Sequence, residues 1–262
     1  MAEGRGIRVS VVVPAHNEAE NLPHVLPLIP DWVYEVILVN DQSTDNTVEV
    51  ACGLLPNIRI LNTRHGRGKG VALQLGFAEA AGDIIVMMDA DGSSNPDEIP
   101  RFIEALLAGA FFARGSRFLA GGGSDDITQV RSLGTRMLIA IANWLFRMRC
   151  TDMFCGLNAF WKTCFDYFEI DCDGFEVETL IHLRARKANL EIVEVPSYER
   201  ARIKGTSKFR TFRDGWRVLK TILKEWTNGR SVIGTVRMHR HYLMEKETWE
   251  GSSFAEQVGI TQ

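Results

Sequence analysis

Several common signatures are missing from this sequence, and each absence removes a class of protein. The five cysteines are an odd number without a C-x-x-C pair, so we expect reduced thiols and no structural zinc site. The opening segment MAEGRGIRVS is too polar for a signal peptide. No uninterrupted apolar run approaches the roughly 20 residues that a membrane span needs. We therefore expect a cytoplasmic protein, either soluble or peripheral on the inner face of the membrane.

Two familiar phosphate-binding signatures are also missing. The turn after the first apolar run lacks the G-x-G-x-x-G of dinucleotide-binding oxidoreductases. The glycine-rich run at residues 66–70 is not a P-loop, because neither serine nor threonine follows Lys69. Its backbone amides and Lys69 can still approach a phosphate, although a flexible turn is the simpler interpretation.

The charge is uneven along the chain. The net charge of -3 predicts no particular partner, and we expect no nucleic-acid ligand. Residues 200–217, however, carry seven lysines or arginines and one acid, Asp214. This local surplus indicates an anionic ligand, either a phosphate or an acidic membrane face.

The hydrophobic pattern predicts an α/β fold. Of the 262 residues, 45% are hydrophobic and 24% are charged, an ordinary balance for a globular domain. Continuous apolar runs predict strands at residues 9–13, 35–40, 58–62, 84–88 and 111–115. Helical patterns lie between and after them, at residues 20–29, 45–55 and 70–81 and from residue 95. This alternation predicts a mostly parallel sheet flanked by helices.

The second half of the chain is less regular. Its patterns predict helices at residues 130–146 and 174–187, a strand at 191–195 and a loop at 119–126. Residues 211–226 predict a C-terminal amphipathic helix. Its apolar face consists of Phe212, Trp216, Leu219, Leu223 and Trp226, and its cationic face of Arg213, Arg217, Lys220 and Lys224. That helix either rests on a membrane or packs against the core.

Polar segments follow all five predicted strands of the first half. They are PAHNE (residues 14–18), NDQSTD (40–45), RHGRGKG (64–70), DADGS (89–93) and GSR (115–117). Ligands of an open parallel sheet bind beyond the carboxyl ends of its strands. We therefore expect these five segments to converge on one rim.

The fourth segment carries the sharpest motif. Asp89 and Asp91 directly follow the apolar run IIVMM, and their spacing lets both carboxylates reach one divalent cation. Hard oxygen ligands of this kind suit magnesium or manganese. The alternative is a turn that carries solvated acids. Asp41 has a similar pair of interpretations, as a ligand of a base or ribose or as the acid of an Asx turn.

Further charged residues have both a functional and a structural interpretation. Arg117 and Arg131 are suited to bidentate binding of a diphosphate, or are ordinary surface arginines. Asp152, Glu176 and Glu178 are suited to orienting sugar hydroxyls or acting as a base. The alternative roles are a helix cap for Asp152 and compensation of a helix dipole for Glu176 and Glu178.

Taken together, these segments resemble glycosyltransferase family 2, and within it the dolichol-phosphate (polyprenyl-phosphate) mannosyl- and glucosyltransferases. The resemblance covers about residues 7–226. It is carried by VVVPAHNE, NDQSTD, GKG, DADGSSNPDEIP, GSRF, TDMFCGLNAF, GFEVETL and VPSYERARIKGTSKF. It implies a single nucleotide-binding GT-A-type domain over residues 1–229, with a nucleotide-binding half at 7–118, an acceptor half at 119–229 and a tail at 230–262.

The same resemblance implies a reaction and roles for named residues. The reaction is a metal-dependent, inverting transfer of a hexose from GDP-mannose or UDP-glucose to a polyprenyl or dolichyl phosphate. The implied catalytic residues are Asp89, Asp91, Arg117 and Arg131, and the two aspartates also bind Mg²⁺ or Mn²⁺. The implied donor-binding residues are Pro14, Ala15, Glu18, Asp41, Lys69, Asp89 and Ala90. The implied acceptor-side and phosphate-binding residues are Arg202, Ser207, Lys208, Asp152, Glu176 and Glu178.

Two single positions and one short segment depart from the family pattern. Asn40 stands where the second motif usually begins with aspartate, and Ser93 stands where the lipid-phosphate enzymes often have glutamine. Residues 155–158 read Cys-Gly-Leu-Asn in place of the more usual Ser-Gly-Phe-Arg.

Other functions remain open at this point. A hydroxyl acceptor would require a general base, for which Asp152, Glu176 and Glu178 are the candidates. A phosphatase of the haloacid dehalogenase type would use Asp89 as its nucleophile and Asp91 as its acid. A non-catalytic module would bind the nucleotide sugar without turnover.

Overall fold

The computed structural model describes residues 6–64, 66, 68–205 and 211–228. The predicted alternation of strands and helices is confirmed over this part of the chain. The strands are β1 Val9–Ala15, β2 Glu35–Asn40, β3 Arg59–Asn62, β4 Ile84–Met87, β5 Phe112–Ser116, β6 Gly123–Ser124, β7 Asn158–Trp161, β8 Ile192–Pro196 and β9 Tyr198–Glu199. The helices are α1 Thr47–Leu54, α2 Lys69–Glu79, α3 Ile99–Leu107, α4 Gln129–Phe146, α5 Glu176–Lys187 and α6 Thr211–Thr227.

The central sheet has the strand order β3-β2-β1-β4-β7-β5-β8. Each neighbouring pair is parallel except for the two pairs that involve β7, which runs antiparallel to β4 and to β5. The carboxyl ends of the other six strands therefore point to the same edge. This arrangement confirms the mostly parallel α/β sheet.

Alternate side chains of the sheet pack into two apolar layers, one on each face. On one face, Val11 and Val86 pack with Phe102 of α3. On the other face, Val12 and Phe160 pack with residues of α2 and α5. Because both faces are covered by helices, most strand side chains are apolar. Polar side chains within the sheet have partners, as in the ion pair of 3.0 Å between Arg114 of β5 and Glu194 of β8.

The predicted helix at residues 20–29 is wrong. The chain forms two short 3-10 helices there, Leu22–His24 and Leu26–Leu28. Each contains a proline, Pro23 or Pro27, whose backbone has no N–H to donate to a continuous α-helix. The apolar side chains Leu22 and Leu26 are nevertheless buried in the core.

Three strands, β6, β7 and β9, were not predicted. β7 has four residues and inserts between β4 and β5, which the sequence pattern would have left adjacent. The segment at residues 119–126, predicted as a loop, contains β6, which pairs with β9 in a separate two-stranded sheet. This small sheet ties the loop to the chain that follows β8.

Helix α6 packs against α5 through a face that includes acidic side chains. Its buried residues include two acids, Asp214 and Glu225, beside Val218 and Ile222. Glu225 Oε1 and Oε2 lie 2.8 and 2.9 Å from cationic nitrogens of Arg184 and Lys187, both on α5. Trp216, Leu223 and Trp226 of the predicted apolar face are exposed, while the side chain of Phe212 lies outside the described part. Among the described helices, none is long and apolar enough to span a membrane.

Candidate active site

The two aspartates of the D-x-D motif lie just beyond β4, at the edge of the sheet. Asp89 Oδ1 is 2.6 Å from Lys69 Nζ, and Asp91 Oδ2 is 2.6 Å from a guanidinium nitrogen of Arg202. Asp91 Oδ1 also accepts hydrogen bonds from the backbone N–H and the hydroxyl of Ser93. The side chains of Asp89 and Asp91 remain 25% and 14% exposed, and both line the cavities described below. The carboxylates are therefore ion-paired yet accessible to a ligand.

Lys69 is shared between two carboxylates. Its Nζ also lies 2.5 Å from Glu178 Oε1, on the first turn of α5. Burial by itself would lower the pKa of Lys69, but the charges of Asp89 and Glu178 outweigh it and raise that pKa. Burial raises the pKa of Glu178 to about 7, against the opposing effect of Lys69. The cluster thus holds one buried cation against two carboxylates, and an added cation would offset its excess negative charge.

The first cavity has a volume of about 330 Å³ and lies over the ends of β1, β2 and β4. All the predicted donor-binding residues line it. They are Pro14, Ala15, Glu18, Asp41, Lys69, Asp89 and Ala90. Residues from later in the chain close the opposite side, namely Asp173, Gly174 and Phe175, with Arg213, Asp214 and Arg217 from α6.

Of the two interpretations of the glycine-rich run, the phosphate cradle is not supported by the backbone amides of Gly68 and Gly70. The N–H of Gly68 donates to Asp41 Oδ2 and that of Gly70 donates to the carbonyl of Asp173, so neither points at a free anion. A Cβ at Gly68 or Gly70 would lie 2.2 or 2.1 Å from a backbone oxygen of Asp173 or Cys172. The glycines therefore allow the start of α2 to pack against the 172–173 backbone, and Lys69 supplies the cation.

The second cavity is larger, about 470 Å³, and adjoins the first. Both cavities are lined by Lys69, Asp89, Asp91, Phe175 and Arg202. The polar end of the second cavity adds Ser93, Arg117, Arg131, Glu178 and Glu199. Its other walls are apolar and come mainly from α4 and α6, with Ile127, Val130, Met137, Leu138, Phe154, Phe175, Trp216 and Leu219. One polar site thus opens on two sides, toward a small polar cavity and toward a larger apolar one.

Asp152 does not reach either cavity, which corrects its prediction as an acceptor-side residue or base. Its side chain is 0% exposed and lies behind Arg117, whose Nε and NH2 are 2.7 and 3.0 Å from the two carboxylate oxygens. The third guanidinium nitrogen, NH1, lies 3.0 Å from Glu199 Oε2. Burial alone would lower the pKa of Arg117, but these carboxylates raise it. Asp152 therefore fixes the orientation of Arg117 in the cavity wall.

Of the remaining predicted site residues, some line a cavity and others do not. Glu176 is buried and its Oε1 is 2.8 Å from Arg217, and it is absent from both cavity linings. Arg131 lies in the second cavity, 3.3 Å from Asp126. Ser207 and Lys208 lie outside the described residues, as does the tail at 230–262.

Sequence reasoning missed Glu199. It lies in the quoted segment VPSYERARIKGTSKF, yet nothing in that segment distinguishes it from a solvated acid. Its Oε2 accepts hydrogen bonds from Ser124 Oγ and Arg117 NH1, so β6 and β9 bring it into the cavity wall.

Two carboxylates, those of Asp89 and Asp91, could bind a divalent cation. Asp89 and Asp91 present hard oxygens at the junction of the two cavities. No group of three or more histidine, cysteine or acidic side chains in the described part of the chain is arranged to hold a metal ion. A cation on the D-x-D pair would therefore keep open positions for water or for phosphate oxygens.

The sequence is similar to known proteins over most of its length. The family model for glycosyl transferase family 2 matches residues 10–163. The dolichol-phosphate mannosyltransferase of Pyrococcus furiosus is 32% identical over 212 residues, which is 78% of this chain and 60% of that protein. The undecaprenyl-phosphate mannosyltransferase of Micrococcus luteus is 31% identical over 206 residues, covering 72% of this chain and 82% of that one.

Solved structures agree with the fold. Glucosyl-3-phosphoglycerate synthase from Mycobacterium tuberculosis superposes with a TM-score of 0.70 at 24% identity, over 85% of this chain and 81% of that one. This chain spans about 60% of the length of the Pyrococcus furiosus relative. The match to the family model covers more than half of the sequence. The chain belongs to glycosyl transferase family 2.

Proposed function

We propose that this protein transfers a hexose, with inversion, from a nucleotide sugar to a polyprenyl or dolichyl phosphate at a membrane surface. Relatives whose names state such acceptors support the proposal, as do the two adjoining cavities of different polarity. GDP-mannose and UDP-glucose are the candidate donors.

We assign the donor to the first cavity. In this proposal Asp41, which lines that cavity, contacts the base or ribose, and Asp89 and Asp91 lie at the junction with the second cavity. The D-x-D carboxylates would hold Mg²⁺ or Mn²⁺, which neutralises charge on a departing diphosphate. Arg202 and Lys69 are the protein's own cations at this point, and Arg117 and Arg131 line the acceptor side.

The pairing of the carboxylates in the second cavity carries the proposed acceptor class. In the described part of the chain, the five acids of its wall lie within ion-pair distance of a lysine or arginine: Asp89, Asp91, Asp126, Glu178 and Glu199. A hydroxyl acceptor needs a general base to take its proton, and a paired carboxylate is a poor one. A phosphate acceptor is already anionic and needs no base. The apolar walls of the same cavity suit a prenyl chain.

Glu178 supports the second candidate, a hydroxyl acceptor. Its pKa, raised to about 7 by burial, is in the range of an effective general base. Its Oε1 is held by Lys69, however, and Asp152 and Glu176, the other predicted bases, lie outside the cavity. Glu178→Gln separates the two candidates, because it should abolish transfer to a hydroxyl and leave measurable transfer to a lipid phosphate.

The outer surface of α4 and α6 supports a peripheral membrane location. The described side chains of these two helices include seven large, exposed apolar ones: Val130, Leu133, Met137, Trp144, Trp216, Leu223 and Trp226. Arg136, Arg213 and Lys220 are exposed on the same helices. Tryptophan beside cationic side chains is typical of helices that lie in a lipid headgroup region. The same helices wall the second cavity, so a lipid acceptor would enter it from the bilayer.

The proposal is tested by product analysis. The protein is incubated with GDP-mannose or UDP-glucose, a prenyl phosphate in detergent or vesicles, and Mn²⁺ or EDTA, and lipids are analysed by mass spectrometry. We expect a hexosyl phosphoprenol with one donor, in the Mn²⁺ sample and not with EDTA. Release of inorganic phosphate from small phosphoesters would instead indicate the phosphatase, and donor binding without any transfer would indicate the non-catalytic module.

A further inference from the structure

A short segment after β9 lies across the D-x-D turn. We call residues 200–204 the strap. The N–H of Arg200 donates to the carbonyl of Ser93 over 2.9 Å, and the N–H of Ile203 to that of Asp91 over 3.4 Å. A Cβ added to Gly92 would lie 2.6 Å from the end of the Ile203 side chain. The strap therefore rests directly on the backbone of the turn that carries the candidate metal ligands.

The strap places Arg202 between the two cavities. One guanidinium nitrogen is 2.6 Å from Asp91 Oδ2 and the other is 3.4 Å from Glu18 Oε1. Arg202 lines both cavities, and its side chain is largely buried. The direction of this guanidinium thus depends on where the strap is fixed and on where Glu18 points.

Asn21 forms hydrogen bonds both to the strap and to Glu18. It lies in the turn after β1, far from the strap in sequence, and is only 3% exposed. Its Oδ1 accepts a hydrogen bond from the N–H of Lys204 over 2.9 Å, and its Nδ2 donates to the carbonyl of Lys204 over 3.3 Å. The same Nδ2 donates to Glu18 Oε2 over 2.6 Å. One amide side chain therefore pins the end of the strap and orients the carboxylate that faces Arg202.

We propose that Asn21 is a positioning residue of the active site, which acts by holding Arg202 where it can meet the diphosphate of the donor. This inference rests on the proposed function, because it assigns the task of Arg202 to donor binding. An amide fits the position because it both donates and accepts, which neither a carboxylate nor an apolar side chain can do. Loss of this side chain frees the strap end and leaves two Lys204 backbone groups without their partner.

A purely structural role would predict something different. If Asn21 only stabilised the fold, Asn21→Ala would lower the melting temperature and affect every ligand equally. If it acts through Arg202, its effect on donor binding must disappear once Arg202 is removed, because coupled residues are not additive. The double-mutant cycle of Asn21→Ala and Arg202→Ala measures this coupling.

The experiment measures binding of GDP and UDP in the presence of Mn²⁺ by calorimetry, for the wild type, both single variants and the double variant. His24→Ala, an exposed position in the same turn region, is the matched control and should bind as the wild type does. We expect Asn21→Ala to weaken binding by about tenfold to a hundredfold, the scale expected for a misplaced contact group. We expect no further loss when it is added to Arg202→Ala. Equal losses in both backgrounds, or no loss in either, would overturn the proposal.

Hydrogen exchange supplies a readout that needs no ligand. In Asn21→Ala, exchange should accelerate at the Lys204 amide, and an unchanged rate there also overturns the proposal. If that variant fails to fold, Asn21→Asp keeps the acceptor for Lys204 and removes both donated bonds, and the same cycle applies. A wild type that binds neither GDP nor UDP would refute the proposed function, while the exchange rate still decides whether Asn21 pins the strap.

Discussion

Substituting alanine for Gly156 tests whether the position of Asp89 matters. Gly156 lies so close to Asp89 that an added Cβ would be 2.2 Å from Oδ2 and 2.8 Å from Cγ. Asp89 cannot simply turn away, because its other oxygen lies 2.6 Å from Lys69 Nζ. Relief of the overlap to an ordinary contact requires a movement of about 1 Å, and a misplacement of that size costs about 100-fold in rate.

The cost in stability should be much smaller than the cost in activity. Crowding of this kind destabilises a protein by about 1–3 kcal/mol, which corresponds to a fall of roughly 3–10 °C in melting temperature for a chain of this size. Gly53→Ala is the matched control, because Gly53 lies within α1 with nothing inside 4 Å of its added Cβ. Alanine is favoured over glycine in a helix interior by about 0.5–1 kcal/mol, so this control should be slightly stabilised and fully active.

The assay compares hexosyl transfer and Mn²⁺-dependent binding of nucleoside diphosphate in Gly156→Ala, Gly53→Ala and the wild type. The expected result is a folded Gly156→Ala protein with about 100-fold lower activity and weakened binding that depends on Mn²⁺. A folded Gly156→Ala protein that retains full activity would show that the placement of Asp89 against Gly156 is not needed for function.

Three further predictions concern stability and location. Glu225→Gln should lower the free energy of unfolding by about 2 kcal/mol in urea denaturation, because Lys187 loses its carboxylate partner while Arg184 keeps Asp171 at 2.9 Å. Burial alone would raise the pKa of Glu225, but hydrogen bonds and charges from Arg184 and Lys187 outweigh it and lower that pKa. The stabilisation by Glu225 is therefore present above its unfolded pKa and is lost as pH falls through the folded pKa; this loss should be absent from Glu225→Gln, and an identical acid profile for both proteins would refute it. Trp144→Ala and Trp216→Ala should each weaken co-sedimentation with anionic vesicles by about tenfold, since each removes a large exposed apolar surface. Tyr34→Ala, which removes an exposed aromatic side chain outside α4 and α6, should not.

The parallel half of the sheet was predictable because each strand is a local apolar run. The run predicted as a strand at residues 84–88 forms β4 Ile84–Met87, and the run predicted at 35–40 forms β2 with the same bounds. Both are buried on two faces, so their composition reports burial directly. Shared strand direction then places their polar ends together, which is why the seven donor-side residues line one cavity.

The errors in the fold have two physical causes. The apolar residues at 20–29 have a helical spacing, but Pro23 and Pro27 interrupt the backbone hydrogen bonds, and the pattern does not register that loss. β7 has four residues and is stabilised by pairing with β4 and β5, which are distant in sequence. No local periodicity can indicate such a strand or its antiparallel direction.

The sequence indicated which types of residue form the site better than it indicated which of them reach a cavity. Asp152 and Glu199 are both acids in family-like segments, yet Asp152 is buried behind Arg117 and Glu199 lies in the cavity wall. Both acids pair with the same arginine, Arg117, and the difference depends on the side of its guanidinium on which each acid lies after folding. In the same way, the amides of Gly68 and Gly70 are used by Asp41 and Asp173, and a glycine-rich run cannot reveal that its donors are already engaged.

The most direct test of the proposed site asks whether a cation bridges Asp89 and Asp91 to the donor diphosphate. Binding of GDP and UDP should be measured by calorimetry with Mn²⁺, and without it in EDTA, for the wild type and for Asp91→Asn, which keeps the size of the side chain and its acceptor for Ser93. We expect Mn²⁺ to strengthen binding of one nucleotide to the wild type, and this gain to be lost in Asp91→Asn. Equal binding with and without Mn²⁺, or an undiminished gain in Asp91→Asn, would contradict it.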